Sequence, residues 1–360
     1  MSKRSNGEGT IYYDKNRAVY RAMFVSPDGN RISKRFKLRY EASDWLIEQQ
    51  NKINTAAYVE KNDWTLGTWA KEYVETYARP RIRQRTYETY TNTLRHLEPI
   101  AKTQLNAITT HLLQRHYNQL AKQYKDVANK LHKLIYAALK EAEINNLIRK
   151  NVAEYITAPP SIPAEKKIFT TEEIKKLLEQ AADHHWAIVI SLAATTGMRL
   201  SEILGLRWQD IDHPGKTLTV NQTLHYTDEF GIIFEPPKTK TSNRKIALPE
   251  SILIKLREQQ EKYPTKTGLV ISSRNDKPTR PNCFQAWWRE LTEKAGVEHK
   301  GFHCLRHSHA TILLTNGEPL TSVSRRLGHA SPTITLNTYS HLLKDSDEQI
   351  AAKVDKLFDF

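Results

Sequence analysis

The chain has 360 residues, with 54 Lys and Arg against 40 Asp and Glu, a net charge of +14. That length accommodates two or three domains with a proper core, and the cationic excess suits a polyanionic partner, nucleic acid before anything else. No apolar run approaches the ~18 residues of a bilayer span, and MSKRSNGEGT lacks the apolar core of a signal peptide. Cys283 and Cys304 form no C-x-x-C pair and read as reduced thiols of a cytoplasmic protein without a membrane partner.

Residues 10 to 38 alternate like strands in TIYYD, AVYRAMFV and RISKRFKL, broken by the turn-like DKNR and SPDGN. A helical run, YEASDWLIEQQNKI, follows. The first 39 residues hold ten Lys and Arg against Glu8, Asp14 and Asp28, so half of the net charge lies in about a tenth of the chain. Three strands and a helix over 1–55 make a small module able to lay a sheet into a major groove. Arg17, Arg21, Lys34 and Arg35 are its candidate DNA contacts; a solvated surface sheet is the plainer alternative.

Residues 65 to 157 carry apolar residues at helical spacing in TLGTWAKEYVETYA, QRTYETYTNTLRHLEPIA, TTHLLQRHYNQLAKQY and DVANKLHKLIYAALKEAEINN. RPRIRQR packs four arginines into seven residues beside a helix start. Arg81, Arg83 and Arg85 are candidate phosphate contacts from it. TAPPSIPAEKK has three prolines and no periodicity, so 158–167 reads as a linker. The next unit opens with a capping box, Thr170 and Glu173. Helices at 171–182 and 186–196 follow, then a strand pair around 217–248 bridged by a long turn-rich segment, then more helices. The tail, 346–360, is acidic and places Ile350, Val354, Leu357 and Phe358 on one helical face. The fold class is therefore multidomain and mainly α with small β-sheets: an N-terminal three-stranded sheet plus helix, a helical domain, and a mixed α+β domain at 168–345.

Three clusters in the last unit bear chemistry. TTGMRLSEILGLRW places Arg199 just after Gly197 at a helix start; HCLRHSHAT sets His303 and Arg306 three apart on one helical face; LGHASPTITLNTYSH holds His329 and Tyr339. Between the first two, PPKTKTSNRKIALP puts Lys238 at a strand turn. Singly, each residue has a bland explanation as a helix-surface arginine, a helix-start histidine or one of many lysines and tyrosines. Together they form a set suited to a phosphodiester. Two forked guanidiniums clamp the non-bridging oxygens, and cations stabilise the negative charge of the phosphorane. A phenol attacks in line to give a phosphotyrosine, while imidazole and ammonium groups move protons. The ester conserves the energy of the broken bond, so neither ATP nor a metal is required, and no cofactor is expected. A metalloenzyme built on His303, His307, His309 and His329 lacks both H-E-x-x-H and a carboxylate at ligand spacing.

This set resembles the tyrosine recombinase, or phage integrase, family. TTGMRLSEILGL looks like its first arginine box, HCLRHSHAT like its H-x-L-R-H box, LGHASPTITLNTYSH like the box ending in the nucleophile, and PKTKTSNRKIALP like its catalytic β-hairpin. The resemblance implies that Arg199 and Arg306 clamp the phosphate, Tyr339 is the nucleophile, Lys238 the general acid, and His303 and His329 auxiliary imidazoles. PKT favours Lys238 over Lys240, which is kept as a DNA contact; Glu202 would support the first box. The layout then reads as an arm-type DNA-binding domain (1–55), a core-binding domain (65–157) and a catalytic domain (168–345). The tail would be exchanged between protomers. Further implications are double-stranded DNA as partner (core and arm attachment sites), a homo-tetramer working through a Holliday junction, and accessory roles for an excision factor and a host DNA-bending protein. The setting would be the bacterial host cytoplasm, in association with the nucleoid. A type IB topoisomerase, which relaxes DNA by similar chemistry, and a non-catalytic DNA-binding regulator are the rival functions.

Overall fold

The computed structural model describes residues 9–26, 29–54, 62–158, 167–237, 240–273 and 275–339, with 351, 354, 355 and 358 of the tail. Lys238, most of the linker at 158–167 and most of the tail at 346–360, with Ile350 and Leu357, lie outside the described residues. The chain divides into two compact units, Met1–Pro163 and Ala164–Phe360. Among the described residues no helix is long and apolar enough to cross a membrane.

The first unit begins with an antiparallel sheet of β1 (Thr10–Asp14), β2 (Val19–Val25) and β3 (Arg31–Phe36), followed by α1 (Arg39–Asn54). Strand alternation puts Ala22 and Phe24 of β2 on one face, where they are buried with Ala42 and Leu46 of α1. Directly opposed residues share a face. Arg21 lies opposite Tyr12 and Arg35, and Val25 opposite Arg31, so the face turned away from α1 carries three arginines. Lys34 lies opposite Ala22, which places it on the helix side of the edge strand, with its ammonium 5.5 Å from the Phe36 ring centre.

The rest of the first unit is helical. It comprises α2 (Leu66–Glu72), which continues into a π-helical turn at Tyr73–Ala78, then α3 (Gln84–Leu94), α4 (Thr110–Ala121) and α5 (Lys125–Ile144). Leu131, Ile135, Ala138, Leu139 and Ala142 make an i, i+3, i+4 stripe on α5, all fully buried against Leu66, Trp69, Leu113 and Tyr117. The Trp69 indole donates to the Ala138 carbonyl at 2.7 Å, which satisfies the polar edge of a buried ring.

The second unit holds α6 (Thr171–Gln180), α7 (Ala187–Thr196), α8 (Leu200–Leu204), β4 (Ile211–Asp212), β5 (Thr217–Val220), β6 (Thr223–Thr227), β7 (Gly231–Glu235) and β8 (Arg244–Ala247). α9 (Glu250–Lys262), α10 (Pro281–Lys294), α11 (Cys304–Thr315), α12 (Leu320–Leu327) and α13 (Pro332–Tyr339) complete it. The capping box at Thr170 is present: Glu173 N–H donates to Thr170 Oγ1 at 3.1 Å, and Thr170 N–H to Glu173 Oε2 at 2.8 Å. α7 is apolar all round and runs through the core, with Ile188, Val189, Ile190 and Leu192 buried. β5 pairs with β8 as the alternation predicts, and β4 adds a third strand. The segment between them is not only turns. β6 and β7 form a hairpin of their own, in register from Thr223 opposite Glu235 to Thr227 opposite Gly231. Its sequence hides it, since β7 is an apolar run, GIIFE, without alternation, and Asp228, Glu229 and the exposed Phe230 at the turn blur the pattern further.

Candidate active site

Two glycine turns and one buried arginine organise the site. α7 ends at Gly197 in the left-handed region, φ 67°. A Cβ there would lie 2.6 Å from Leu327 Cδ2 and 2.7 Å from His309 Cδ2, so a side chain is excluded on space as well as conformation. α12 ends likewise at Gly328, φ 70°, where a Cβ would lie 2.9 Å from Arg244 Cδ. Arg306, near the start of α11 and only 3% exposed, reaches both turns. Its Nη1 donates to the Gly197 carbonyl at 2.7 Å and its Nη2 to the Leu327 carbonyl at 2.8 Å. These are helix-end carbonyls that lack an intrahelical partner. Two of its five guanidinium donors are so used among the described residues. Burial, and then Arg199, depress the Arg306 pKa to about 9, which leaves it cationic at neutral pH.

Arg199 follows the Gly197 turn and caps α8. Its backbone N–H donates to Glu202 Oε2 at 2.9 Å and its Nη1 to Oε1 at 2.7 Å. Glu202, 2% exposed, also accepts from Arg244 of β8 at 3.2 and 3.0 Å. Burial would raise the Glu202 pKa; Arg244 and Arg199 outweigh it and hold the carboxyl below its ordinary range. Arg244 Nε donates to the Arg326 carbonyl at 2.7 Å, joining β8 to α12. Glu202 is thus the shared anion that fixes one arginine from each side. Replacing it by Ala leaves two guanidiniums facing each other. The expected loss is about 3–5 kcal/mol of stability, read as a lower urea midpoint. A loss below about 1 kcal/mol would mean that the arginines escape to water and the carboxylate is dispensable.

The histidines have separate environments. His329 follows Gly328, and its Nδ1 lies 2.7 Å from Thr335 Oγ1 of α13. Desolvation, with Arg306 and Arg199, pushes its pKa down to about 4. His303 caps α11 and keeps an exposed edge. Desolvation by burial, then His307, Arg306 and Arg199, push it down to about 4 as well. Tyr339 ends α13 and is 3% exposed, packed with Ala310, Leu314, Val323 and Leu327. Its hydroxyl lies 2.8 Å from His307 Nδ1. Burial pushes the phenol up to about 12, and the Arg306 charge only partly offsets this. At neutral pH the His303 and His329 imidazoles and the Tyr339 phenol are therefore neutral beside the Arg306 cation.

Of the residues singled out in the sequence, Arg199, His303, Arg306, His329 and Tyr339 share one electrostatic neighbourhood. Lys240 begins a 3₁₀ turn, Lys240–Ser242, and the Thr241 carbonyl sits 3.1 Å from where a Gly328 Cβ would be. The lead-in to β8 therefore packs beside the His329 turn. In the first unit Arg17 is exposed in the β1–β2 turn, and Arg81 and Arg85 are exposed around the start of α3, which Arg83 caps. Sequence reasoning missed two side chains. Arg244 alternates inward with Ile246 on β8, and a charge at an inward strand position was the available signal. His307 lies four residues from His303 on α11, one face of the same helix. Among the described residues there is no group of three His, Cys, Asp or Glu able to hold a metal ion.

Comparison with known proteins agrees with this architecture. The phage integrase family model matches residues 167–346, and the SAM-like N-terminal domain of phage integrases matches 65–121. A XerC-like tyrosine recombinase of Caldanaerobacter subterraneus subsp. tengcongensis is 28% identical over 397 residues, spanning 99% of this chain and all of the relative. By fold, the Tn1549 transposon integrase in complex with a circular intermediate DNA matches with a TM-score of 0.71 at 20% identity, over 82% of this chain and 99% of that one. A lambda integrase tetramer bound to a Holliday junction matches at 0.63 and 20%, over 93% and 96%. Family and site together define a DNA breaking-and-rejoining enzyme. The chain belongs to the phage integrase family and is a site-specific tyrosine recombinase.

Proposed function

We propose that this recombinase integrates and excises a mobile element by cutting each DNA strand with Tyr339, which becomes esterified to a 3′ phosphate while a 5′ hydroxyl departs. The observation that carries this reading is the phenol of Tyr339, buried and within the field of Arg306. Arg199 and Arg306 hold the non-bridging oxygens, and His303 and His329 line the phosphate as neutral imidazoles that donate or accept a hydrogen bond without adding charge. Lys238 protonates the leaving 5′ oxygen. Arg306 acts from a position with little freedom to reorganise, the condition under which a cation lowers a barrier most. Residues 65–157 and 168–345 grip the core site, while 1–55 bind arm sites through the arginine-bearing face of the sheet, where Arg21 and Arg35 stand opposite each other. By analogy with the lambda tetramer, four protomers act together on a Holliday junction, and the tail at 346–360 docks on a neighbour. The work is done in the bacterial cytoplasm on nucleoid DNA, with an excision factor and a DNA-bending host protein setting direction.

Two plasmids carrying the element's attachment sites test it. Incubation is expected to produce a joined product whose junctions are exchanged at one position; relaxation without exchange would support a topoisomerase in its place. A chain lacking residues 1–55 is expected to lose about 10²-fold in recombination, because arm binding raises the effective concentration of the core site. The same chain should still cut a nicked core duplex. Normal recombination by the truncated chain would remove the arm assignment. Binding should weaken with salt by about 0.9 log units per log unit for each phosphate neutralised.

A further inference from the structure

The nucleophile begins from an unfavourable state. A phenol held at about 12 is ionised in roughly one molecule in 10⁵ at neutral pH, a hundredfold less than free tyrosine. Attack on phosphorus therefore needs a group that takes the proton as the bond forms. The neighbouring imidazoles are differently engaged. His309 donates from Nδ1 to the Ala194 carbonyl at 2.8 Å and accepts at Nε2 from Arg326 Nε at 3.2 Å, so both ring nitrogens are used. His329 Nδ1 is engaged with Thr335 Oγ1. His303 meets the His307 ring edge-on, at a centroid distance of 5.0 Å. The Tyr339 hydroxyl meets His307 Nδ1 at 2.8 Å, within the range for an O–H···N hydrogen bond.

We propose that His307 is a further catalytic residue, the proton acceptor for Tyr339: its Nδ1 orients the phenol and takes the proton as the oxygen attacks. The proposal rests on the reading of Tyr339 as nucleophile. In the forward step the Tyr339 O–P bond forms and the P–O5′ bond breaks. The phenolic proton passes to His307 Nδ1, and the leaving 5′ oxygen takes a separate proton from the general acid. In resealing, an incoming 5′ hydroxyl attacks and gives up its proton to the former acid. The departing phenolate recovers its own from His307. The surroundings make the transfer conditional. Arg306 and His303 on the same helix, Arg199 at the cap of α8, Arg244 on β8 and His329 after α12 face this corner of the site, with Glu202 as the counter-anion. Such cations oppose an imidazolium until the pentacovalent phosphate adds negative charge, so proton transfer is favoured in the transition state more than in the resting enzyme.

The test uses the full chain and a nicked duplex selected from a randomised pool by covalent capture on the wild-type protein. Single-turnover adduct formation is followed against pH. His307→Leu keeps bulk and loses the acceptor; a fall of about 10²–10³-fold is expected. His307→Asn places an amide oxygen near the position of Nδ1, so it can orient the phenol but cannot hold its proton. Its rate should fall between the two, and the acid limb of the wild-type pH profile should vanish. A substrate with sulfur in place of the bridging 5′ oxygen needs no proton on its leaving group, and the His307→Leu deficit should persist on it. ¹⁵N shifts of the histidine rings should show His307 with Nδ1 unprotonated and accepting, and Tyr339→Phe should move that signal. Adduct formation by His307→Leu within about threefold of wild type, an unchanged acid limb in His307→Asn, or rescue by the sulfur substrate would each overturn the assignment. Tyr339→Phe is the separate control: an adduct formed by that variant refutes the nucleophile itself, whatever the His307 variants do.

Discussion

Tyr339→Phe is expected to bind DNA as tightly as the wild-type chain and to form no covalent adduct, a loss of about 10⁵-fold or more in strand cleavage. The prediction is sharp because the substitution removes a single atom from a well-packed site. The ring keeps its contacts with Ala310, Leu314, Val323 and Leu327, so fold and DNA affinity should be spared. The change in stability should be about 1 kcal/mol, the net worth of one hydrogen bond to His307. Trapping on a nicked duplex, with binding measured in parallel, separates the outcomes. An adduct mapped to another residue would end the assignment, and so would a collapse of binding that tracked the loss of cleavage, since the hydroxyl would then be structural.

Arg306→Lys carries the second large effect. A lysine keeps the charge yet lacks the planar fork. The native side chain spans the Gly197 and Leu327 carbonyls with two nitrogens of one rigid plane, and an ammonium on a flexible stem has no such reach in two directions at once. Cleavage should fall by about 10²–10³-fold, with a destabilisation of about 1–3 kcal/mol from the carbonyl left unpaired. Adduct formation at saturating DNA and a urea titration measure the two losses. Activity within about tenfold of wild type would show that charge alone suffices and that the bidentate geometry is incidental.

Much of the fold could be read directly because its signals are local. The α5 stripe, the Thr170 capping box and the basic N-terminal strands each announce themselves within a dozen residues. The arginine and histidine boxes were legible as a set, and Arg199, His303, Arg306, His329 and Tyr339 do lie in one electrostatic neighbourhood. What escaped depends on tertiary context. The β6–β7 hairpin is hidden because β7, GIIFE, does not alternate and the turn before it is exposed. The face that Lys34 joins is set by strand register, which stands it with Ala22 on the helix side of the sheet. The Tyr339–His307 contact joins positions 32 apart in sequence, and no periodicity links them. Arg244 is inward only through strand pairing, which turns it toward Glu202.

The carbonyls that Arg306 holds close two different helices, and the second of them leads through Gly328 and His329 into the segment that ends at Tyr339. The same guanidinium therefore ties together the two helix ends that flank the site, and with both carbonyls held its place is set before any anion arrives. A receptor fixed in advance gives up little freedom when it is filled, so less of the binding energy goes into ordering it.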